Sequence, residues 1–261
     1  MDLGLKGKVT VIAGASKGLG FAAAKVLLEE GALVAISSRS AENLQKAAEK
    51  LGSPQNLKTV AADVTREEDC QRLIQETITA FNALDVLITN CGGPAPGNFE
   101  GLSDAQWDEA IDKSFKSNLY LIRAALPHLK KSAAPSILTV TSFTTKQPLP
   151  NMILSNSVRS ATIGLTKSLS FELGQYNIRV NSILPGWTLT DRVDALLANR
   201  AEIHQSSYDA EKASIAADIP LRRMGDPMEF GRAAAFLVSP AASFVNGVML
   251  NVDGGIYKGI Y

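Results

Sequence analysis

The sequence predicts an α/β fold in which a doubly wound parallel sheet of about seven strands carries helices on both faces. Short apolar runs alternate with helical stretches of roughly ten residues or more. Strands joined through helices of this length pair in parallel by right-handed crossovers. Several runs are apolar throughout, as strands covered on both sides must be. No repeat, low-complexity tract or long linker interrupts the chain, so residues 1–261 are expected to form a single domain.

The strands are predicted from β-branched and apolar runs that end at turn residues. The first run, Lys8–Ala13, reads KVTVIA and stops at Gly14, where a glycine permits a tight turn. The predicted strands, in chain order, are Lys8–Ala13, Ala32–Ser37, Leu57–Ala61, Asp85–Thr89, Ser136–Thr141, Ile178–Ile183 and Val248–Val252.

The helices are predicted from longer segments of helix-forming residues. The first ends at Gly31, a typical helix stop. The fifth has an apolar stripe that includes Val158, Leu165 and Leu169 and therefore faces a partner. The predicted helices are Gly18–Glu30, Ala41–Leu51, Glu67–Phe81, Asp104–Lys130, Leu154–Leu173, a helix-rich stretch over Thr190–Ala217, and Pro227–Val238.

Composition excludes several classes of function. Lys+Arg and Asp+Glu both number 26, so no overall field attracts nucleic acid or an anionic membrane. No run reaches the roughly 18 apolar residues of a membrane span, and the first residues lack the apolar stretch of a signal peptide. Cys70 and Cys91 match neither a disulfide framework nor a metal motif, so no metal site is predicted. These observations favour a cytoplasmic protein with reduced thiols.

A glycine-rich turn connects the first strand to the first helix. Gly14, Gly18 and Gly20 are separated by Ala15, Ser16, Lys17 and Leu19. Glycines at these positions let the backbone turn sharply and let a diphosphate approach the amide donors at the helix N-terminus. Strand, glycine turn and helix in this order indicate a dinucleotide site.

Several further segments accompany the Gly-x-x-x-Gly-x-Gly turn. They are Asp63-Val64, Asn90-Cys91-Gly92-Gly93, the segment Asn181–Gly186 with Thr188 and Thr190 beyond it, and Asn251–Gly255. Together they resemble the short-chain dehydrogenase/reductase family, in particular its 3-oxoacyl-carrier-protein-reductase-like members, from Gly7 to about Gly255.

The resemblance implies a Rossmann-type fold and assigns further cofactor-binding residues. Asp63 and Val64 stand where the family has contacts near the adenine, and Asn90 and Gly92 follow the fourth strand. The segment with Pro185, Gly186, Thr188 and Thr190 is similar to the one that covers the nicotinamide. The substrate implied is a small-molecule carbonyl or alcohol.

The end of the second strand favours NADP(H) over NAD(H). It reads Ile36-Ser37-Ser38-Arg39, without the carboxylate that NAD-selective relatives use to repel a 2′-phosphate. Arg39 offers a planar fork of donors, Ser38 a hydroxyl, and Lys17 a second cation. The alternative is that both cations are ordinary solvated surface charges.

The catalytic positions implied by the resemblance are mostly substituted. Ser142 fits the family's serine, but Ser155 stands thirteen residues later in place of the tyrosine, and Arg159 replaces the lysine four residues on. Ser114 occupies the position of the family's asparagine. The segment Leu154–Arg159 is similar to that of an atypical subset with Leu-Ser-Asn-x-x-Arg. Ser114 is expected to be too short to support the bend that the asparagine stabilises.

These substitutions leave three hypotheses. Arg159 keeps a positive charge that could hold ribose hydroxyls but cannot shed a proton, and the hydroxyl of Ser155 is a far weaker acid than a phenol. The first hypothesis is a reductase in which water ordered by Ser142 and Ser155 supplies the proton. The second takes the acid from elsewhere, with Lys146 and Tyr208 as candidates. The third is a cofactor-binding protein without turnover, either a sensor or a partner subunit of an active relative.

The segment from about 188 to 220 is expected to form a substrate loop and lid. It contains His204, interpreted as a surface histidine because no carboxylate partner is evident by spacing. By analogy with relatives, a homodimer or homotetramer is expected, paired through Asp104–Lys130, Leu154–Leu173 and the C-terminal segment Gly254–Tyr261.

Overall fold

Seven parallel strands form one sheet in the computed structural model, which describes residues 2–260. The last residue of the predicted interface segment, Tyr261, lies outside the described residues, as does Met1. The strands are β1 (Val9–Ile12), β2 (Leu33–Ser38), β3 (Leu57–Ala61), β4 (Val86–Thr89), β5 (Ser136–Val140), β6 (Arg179–Pro185) and β7 (Met249–Val252).

The order of the strands across the sheet is β3-β2-β1-β4-β5-β6-β7, and every neighbouring pair is parallel. The chain winds outward from β1 in one direction and then returns to continue from β4 in the other. In sheets of this kind ligands bind outside the carboxyl ends of the strands, where the order reverses. The point of reversal here lies between β1 and β4.

Helices cover both faces of the sheet, which confirms the doubly wound architecture. The helices are α1 (Gly18–Glu29), α2 (Ala41–Lys50), α3 (Glu67–Phe81), α4 (Asp104–Ile111), α5 (Ser117–Leu129), α6 (Ile153–Glu172), α7 (Asp191–His204), α8 (Tyr208–Asp218) and α9 (Pro227–Val238). One buried cluster joins the sheet to α1, α2 and α9, and a second joins it to α3, α5 and α6. Each face therefore has its own apolar core.

The predicted helix Asp104–Lys130 is wrong in one respect, because it is not continuous. A π-helical turn, Asp112–Lys116, separates α4 from α5. The carbonyl oxygen of Ser114 accepts hydrogen bonds from Asn118 Nδ2 at 2.9 Å and from Thr162 Oγ1 at 2.6 Å. The bend at Ser114 is thus present, and it is supported by the side chains of Asn118, on the next turn, and of Thr162, on α6, instead of by the side chain of residue 114.

Helices α7 and α8 form a separate layer beyond the carboxyl edge of the sheet. A third apolar cluster that includes Phe143, Val193, Leu197, Ile215 and Ile219 anchors them there. Thr190 and Ser207 cap their N-termini through side-chain oxygens, which satisfies backbone donors of the first turns. No helix within residues 2–260 is both long and apolar enough to cross a membrane.

Candidate active site

A cavity of about 1220 Å³ opens at the carboxyl edge of the sheet, at the point where the strand order reverses. Its wall begins at the glycine turn, passes the ends of β2 and β3, and continues to the ends of β5 and β6 and the first turn of α7. The predicted cofactor residues on this wall are Gly14, Ser16, Lys17, Gly18, Leu19, Ser38, Arg39, Asp63, Val64, Asn90, Gly92, Arg159, Pro185, Gly186, Thr188 and Thr190.

The glycine turn is held by close backbone contacts. Gly14 has a φ of +59°, and a Cβ at this position would lie 2.8 Å from the carbonyl oxygen of Asn90. A Cβ at Gly20 would lie 2.6 Å from the carbonyl oxygen of Gly14. Both distances are too short for any side chain, so these two positions require glycine. Gly20 is buried under the turn and does not line the cavity.

The N-terminus of α1 remains open for a ligand. Its N-cap residue, Lys17, makes no side-chain cap hydrogen bond, and its first turn contains no acidic residue. The backbone N–H groups of this turn are therefore not satisfied by the chain's own side chains, and the helix dipole is not offset there. Because the turn lies on the cavity wall, the donor set fits a diphosphate.

Arg39 and Lys17 both lie on the cavity wall, but only Lys17 forms an ion pair within the described residues. Arg39 is exposed, and within residues 2–260 it takes part in no ion pair. Lys17 Nζ lies 3.0 Å from Asp191 Oδ2, with both side chains about 70% exposed. Surface ion pairs of this kind contribute about 0–1 kcal/mol, so Lys17 remains able to change partners.

Ser142, Ser155 and Thr144 bring three hydroxyl groups to the other end of the cavity. Ser142 follows β5, and its Oγ accepts a hydrogen bond from the backbone N–H of Thr144 at 3.2 Å. The Oγ of Ser155, on the first turn of α6, lies 3.2 Å from Thr144 Oγ1. All three residues line the cavity, and sequence reasoning missed Thr144.

Arg159 is fixed beneath these hydroxyls. It is only 8% exposed, and its Nη1 donates to the carbonyl oxygens of Thr141 at 2.7 Å and of Val140 at 3.2 Å. The side chain therefore ties α6 to the end of β5. Five N–H donors belong to a guanidinium, so donors remain for a ligand in the cavity.

Three other candidates from the sequence lie elsewhere. Ser114 is buried and does not line the cavity, and its Oγ has no hydrogen-bond partner within the described residues. Lys146 Nζ donates to the carbonyl oxygen of Met249 at 3.1 Å. Tyr208 donates to Asp194 at 2.6 Å, and this hydrogen bond raises the pKa of Tyr208. Neither Lys146 nor Tyr208 lines the cavity.

His204 is exposed, as predicted for a surface histidine, but the expectation that it has no carboxylate partner is wrong. Its Nδ1 lies 2.9 Å from Glu211 Oε1, and Arg200 Nε lies 3.0 Å from Glu211 Oε2. Hydrogen bonds from Ser206 and His204 lower the pKa of Glu211 from its ordinary value of 4.5 to about 2. This cluster links α7 to α8 away from the cavity.

A parallel sheet with an open glycine turn at its switch point is typical of dinucleotide-binding α/β proteins. The chain belongs to the short-chain dehydrogenase/reductase family. The family profile described as enoyl-(acyl carrier protein) reductase matches residues 14–257. Dehydrogenase/reductase SDR family member 4 of Bos taurus is 31% identical over 253 residues, which cover 96% of this chain and 88% of the relative.

Solved structures of similar proteins share the whole fold. L-sorbose reductase from Gluconobacter frateurii, complexed with NADPH and L-sorbose, has a TM-score of 0.93 at 28% identity, with 100% of both chains covered. The NADPH-bound short chain oxidoreductase from Pseudomonas aeruginosa PAO1, described as containing an atypical catalytic center, has a TM-score of 0.87 at 29% identity, with 97% of both chains covered.

Proposed function

We propose that this protein is an NADP(H)-dependent oxidoreductase that interconverts a small-molecule carbonyl compound and its alcohol with an altered set of catalytic residues. One observation carries the proposal. A single cavity connects the open glycine turn and Arg39 with the hydroxyls of Ser142 and Ser155 and with Arg159. The NADPH complexes of two structural relatives support the choice of cofactor.

Different residues of the cavity fit different parts of the cofactor. The N–H groups at Gly18 and Leu19 fit the diphosphate, and Arg39 with Ser38 fits the 2′-phosphate. Asp63, Val64 and Asn90 are assigned to the adenosine half. Arg159 is assigned to ribose hydroxyls, and Pro185, Gly186, Thr188 and Thr190 to the nicotinamide. Gly14 and Gly20 are assigned to the shape of the turn.

The proposed chemistry is carbonyl reduction and its reverse. When bound, NADP(H) supplies or accepts the hydride. Ser142 Oγ donates a hydrogen bond to the substrate oxygen. Ser155 orients a water molecule that delivers the proton to that oxygen, and the hydroxide left behind takes up a proton from bulk solvent through the open cavity. Arg159 takes no part in proton transfer, because a guanidinium keeps its proton at any ordinary pH. In addition to its contact with the ribose hydroxyls, its positive charge stabilises the substrate oxygen. Ser114, which does not reach the cavity, receives no catalytic role.

A second candidate is a cofactor-binding protein without turnover, a sensor or a partner subunit of an active relative. The pairing of Ser155 with Thr144 favours it, because two neutral hydroxyls form a poor proton donor. The double variant Ser155→Tyr with Arg159→Lys separates the two candidates. Activity that appears only in this variant supports the non-catalytic candidate, whereas activity in the parent that the variant does not exceed supports the enzyme.

The direct test of the proposed function is loss of the reduced-nicotinamide absorbance. The purified protein and NADPH are mixed with a panel of ketones, β-ketoesters and quinones, and the double variant Ser142→Ala with Arg159→Ala serves as the control. Turnover in the parent that the control lacks is the expected result. A rate that survives both substitutions would contradict the assignment of this site.

We further propose that the chain assembles as a cytoplasmic homodimer or homotetramer. Phe171 on α6 is 76% exposed, and Phe244, shortly before β7, is fully exposed. Large exposed apolar side chains on a folded protein favour an interface. Light scattering is expected to give the mass of a dimer or tetramer, and the mass of a monomer would contradict the proposal.

A further inference from the structure

Arg192 extends from the first turn of α7 to the loop that follows β4, and both line the cavity. It is the second residue of α7, and its Nη2 donates to the carbonyl oxygen of Pro94 at 2.6 Å. The guanidinium packs closely against the glycine beside Pro94, because a Cβ at Gly93 would lie 3.1 Å from Arg192 Nε.

Arg192 and Arg159 place two positive charges on one cavity. Both residues line it. Burial is the larger cause that lowers the pKa of Arg192, and the positive charge of Arg159 lowers it further. Among residues 2–260, no carboxylate forms an ion pair with either guanidinium. Only backbone carbonyl oxygens accept their hydrogen bonds, so the charge of both groups is not neutralised.

The carboxylate next to Arg192 in the chain does not compensate this charge. Asp191 points to the glycine turn, where its Oδ2 lies 3.0 Å from Lys17 Nζ. Arg192 points to Pro94 instead. The first turn of α7 thus separates the two charges: the carboxylate faces the end of the cavity that fits phosphates, and the guanidinium faces the end that holds Arg159.

We propose that Arg192 binds an anionic group of the substrate, so that the protein acts on carbonyl or alcohol compounds that carry a carboxylate. This inference rests on the proposed function and adds the substrate class to it. The planar fork of a guanidinium matches the two oxygens of a carboxylate. A carboxylate there would neutralise a charge that the chain itself leaves unpaired, and a neutral substrate would leave it unpaired.

The cofactor diphosphate is the competing anion. It is less suited to Arg192 because the glycine turn already offers the open N-terminus of α1 and Lys17. Asp191, at the same place, would repel a diphosphate that lay closer to α7. If Arg192 binds the cofactor diphosphate, its loss weakens NADPH binding. If it binds a carboxylate of the substrate, its loss leaves NADPH affinity unchanged.

The test compares acids with their esters. The NADP⁺-loaded protein, which cannot reduce a ketone, is titrated in a calorimeter with 3-oxoacids of increasing chain length and with the ethyl ester of each. At least one acid is expected to bind about tenfold or more tightly than its ester, the range of one charge-assisted hydrogen bond. If no acid binds more tightly than its ester, the inference is overturned.

Variants assign the preference to Arg192. Arg192→Met is expected to remove the preference for the acid, and Gly93→Ala and Arg192→Lys are expected to keep part of it. The control Arg123→Met, at an exposed arginine on α5, is expected to keep all of it. A preference that survives Arg192→Met overturns the inference even when it is strong in the parent.

A titration of the unloaded protein with NADPH separates the possible failures. Arg192→Met is expected to bind NADPH as tightly as the parent does. Weaker NADPH binding in this variant would place Arg192 at the diphosphate and overturn the inference. Failure of the parent to bind NADPH would contradict the proposed function, whereas normal NADPH binding without an acid preference would contradict the present inference alone.

Discussion

Arg159 Nη1 donates to the carbonyl oxygen of Thr141 at 2.7 Å, and this contact fixes a positive charge at the floor of the cavity. The contact crosses from α6 to the end of β5, immediately before Ser142. One nitrogen, Nη1, makes both carbonyl contacts of Arg159, so the Nε and Nη2 donors of the guanidinium remain for a ligand. Arg159 therefore has a structural role as well as its proposed role toward ligands.

The first prediction concerns stability. Arg159→Met is expected to lower the free energy of unfolding by about 1–3 kcal/mol, because the carbonyl oxygen of Thr141 loses a charged donor in a buried place. Urea denaturation measures this change. The matched control is Arg232→Met on α9, an exposed arginine outside the predicted interface segments that is expected to change stability by less than about 0.5 kcal/mol. Equal effects of the two substitutions would contradict the role of the buried contact.

The second prediction concerns Ser142. Ser142→Ala is expected to lower kcat on the order of 10²-fold, as loss of one hydrogen-bond donor to a developing oxyanion does. Its Kd for NADPH should stay the same, because the hydroxyl is assigned to the substrate. Steady-state rates with any substrate from the panel, together with a fluorescence titration of NADPH, check both parts. Ser160→Ala, an exposed serine on α6, is the control. A parallel loss of NADPH affinity in Ser142→Ala would refute the assignment.

The third prediction is a pH dependence of stability that comes from the contact between α7 and α8. The pKa of Glu211 is lowered to about 2 in the folded protein, so its contribution to stability is present above the ordinary pKa of 4.5 and is lost as the pH falls toward 2. Glu211→Gln should therefore be less stable than the parent at about pH 7, and the difference should shrink at about pH 3. Urea titrations at both values measure it. Glu202→Gln, exposed on α7, should match the parent at both, and a constant deficit in Glu211→Gln would count against this account.

The fourth prediction uses two glycines with opposite outcomes. Gly20→Ala places a Cβ 2.6 Å from a backbone oxygen, so it is expected to destabilise the protein by more than about 1 kcal/mol and to weaken NADPH binding. Gly101 lies exposed outside the predicted interface segments, has no positive φ, and an added Cβ there meets nothing within 4 Å. Gly101→Ala is therefore expected to stabilise the protein by about 0.4–1 kcal/mol. Thermal unfolding measures both variants. A change of Tm in the same direction for both would show that the local packing around the glycine does not determine the effect on stability.

Most of the fold can be predicted from the sequence because the strands are short, buried and separated by helices. The predicted run Leu57–Ala61 agrees with β3 at both ends, and Ile178–Ile183 differs from β6 by two residues at its end. The two faces of the sheet also follow from apolar periodicity. The preference for NADP(H), inferred from Arg39 and the missing acid, agrees with the NADPH complexes of the structural relatives.

The features that the sequence does not predict depend on contacts between different secondary-structure elements. The bend at Ser114 involves Thr162, on a different helix. The pairing of His204 with Glu211 depends on the reversal of the chain between α7 and α8, where Gln205 adopts a φ of +51°. Arg192 packs against Gly93, on the loop after β4, where an added Cβ would lie 3.1 Å from its Nε. An arginine directly after Asp191 does not by itself indicate, in the sequence, which loop its side chain contacts.

The central claim is that the glycine turn and Arg39 bind the diphosphate and the 2′-phosphate of one cofactor, and calorimetric titration with NADPH and NADH tests it most directly. NADPH is expected to bind about tenfold or more tightly than NADH, since a charge-assisted hydrogen bond contributes about 1.5–3 kcal/mol. Arg39→Gln should lose this preference while its NADH affinity stays the same. Equal or reversed affinities in the parent would contradict the selectivity, and failure to bind either dinucleotide would contradict the whole account.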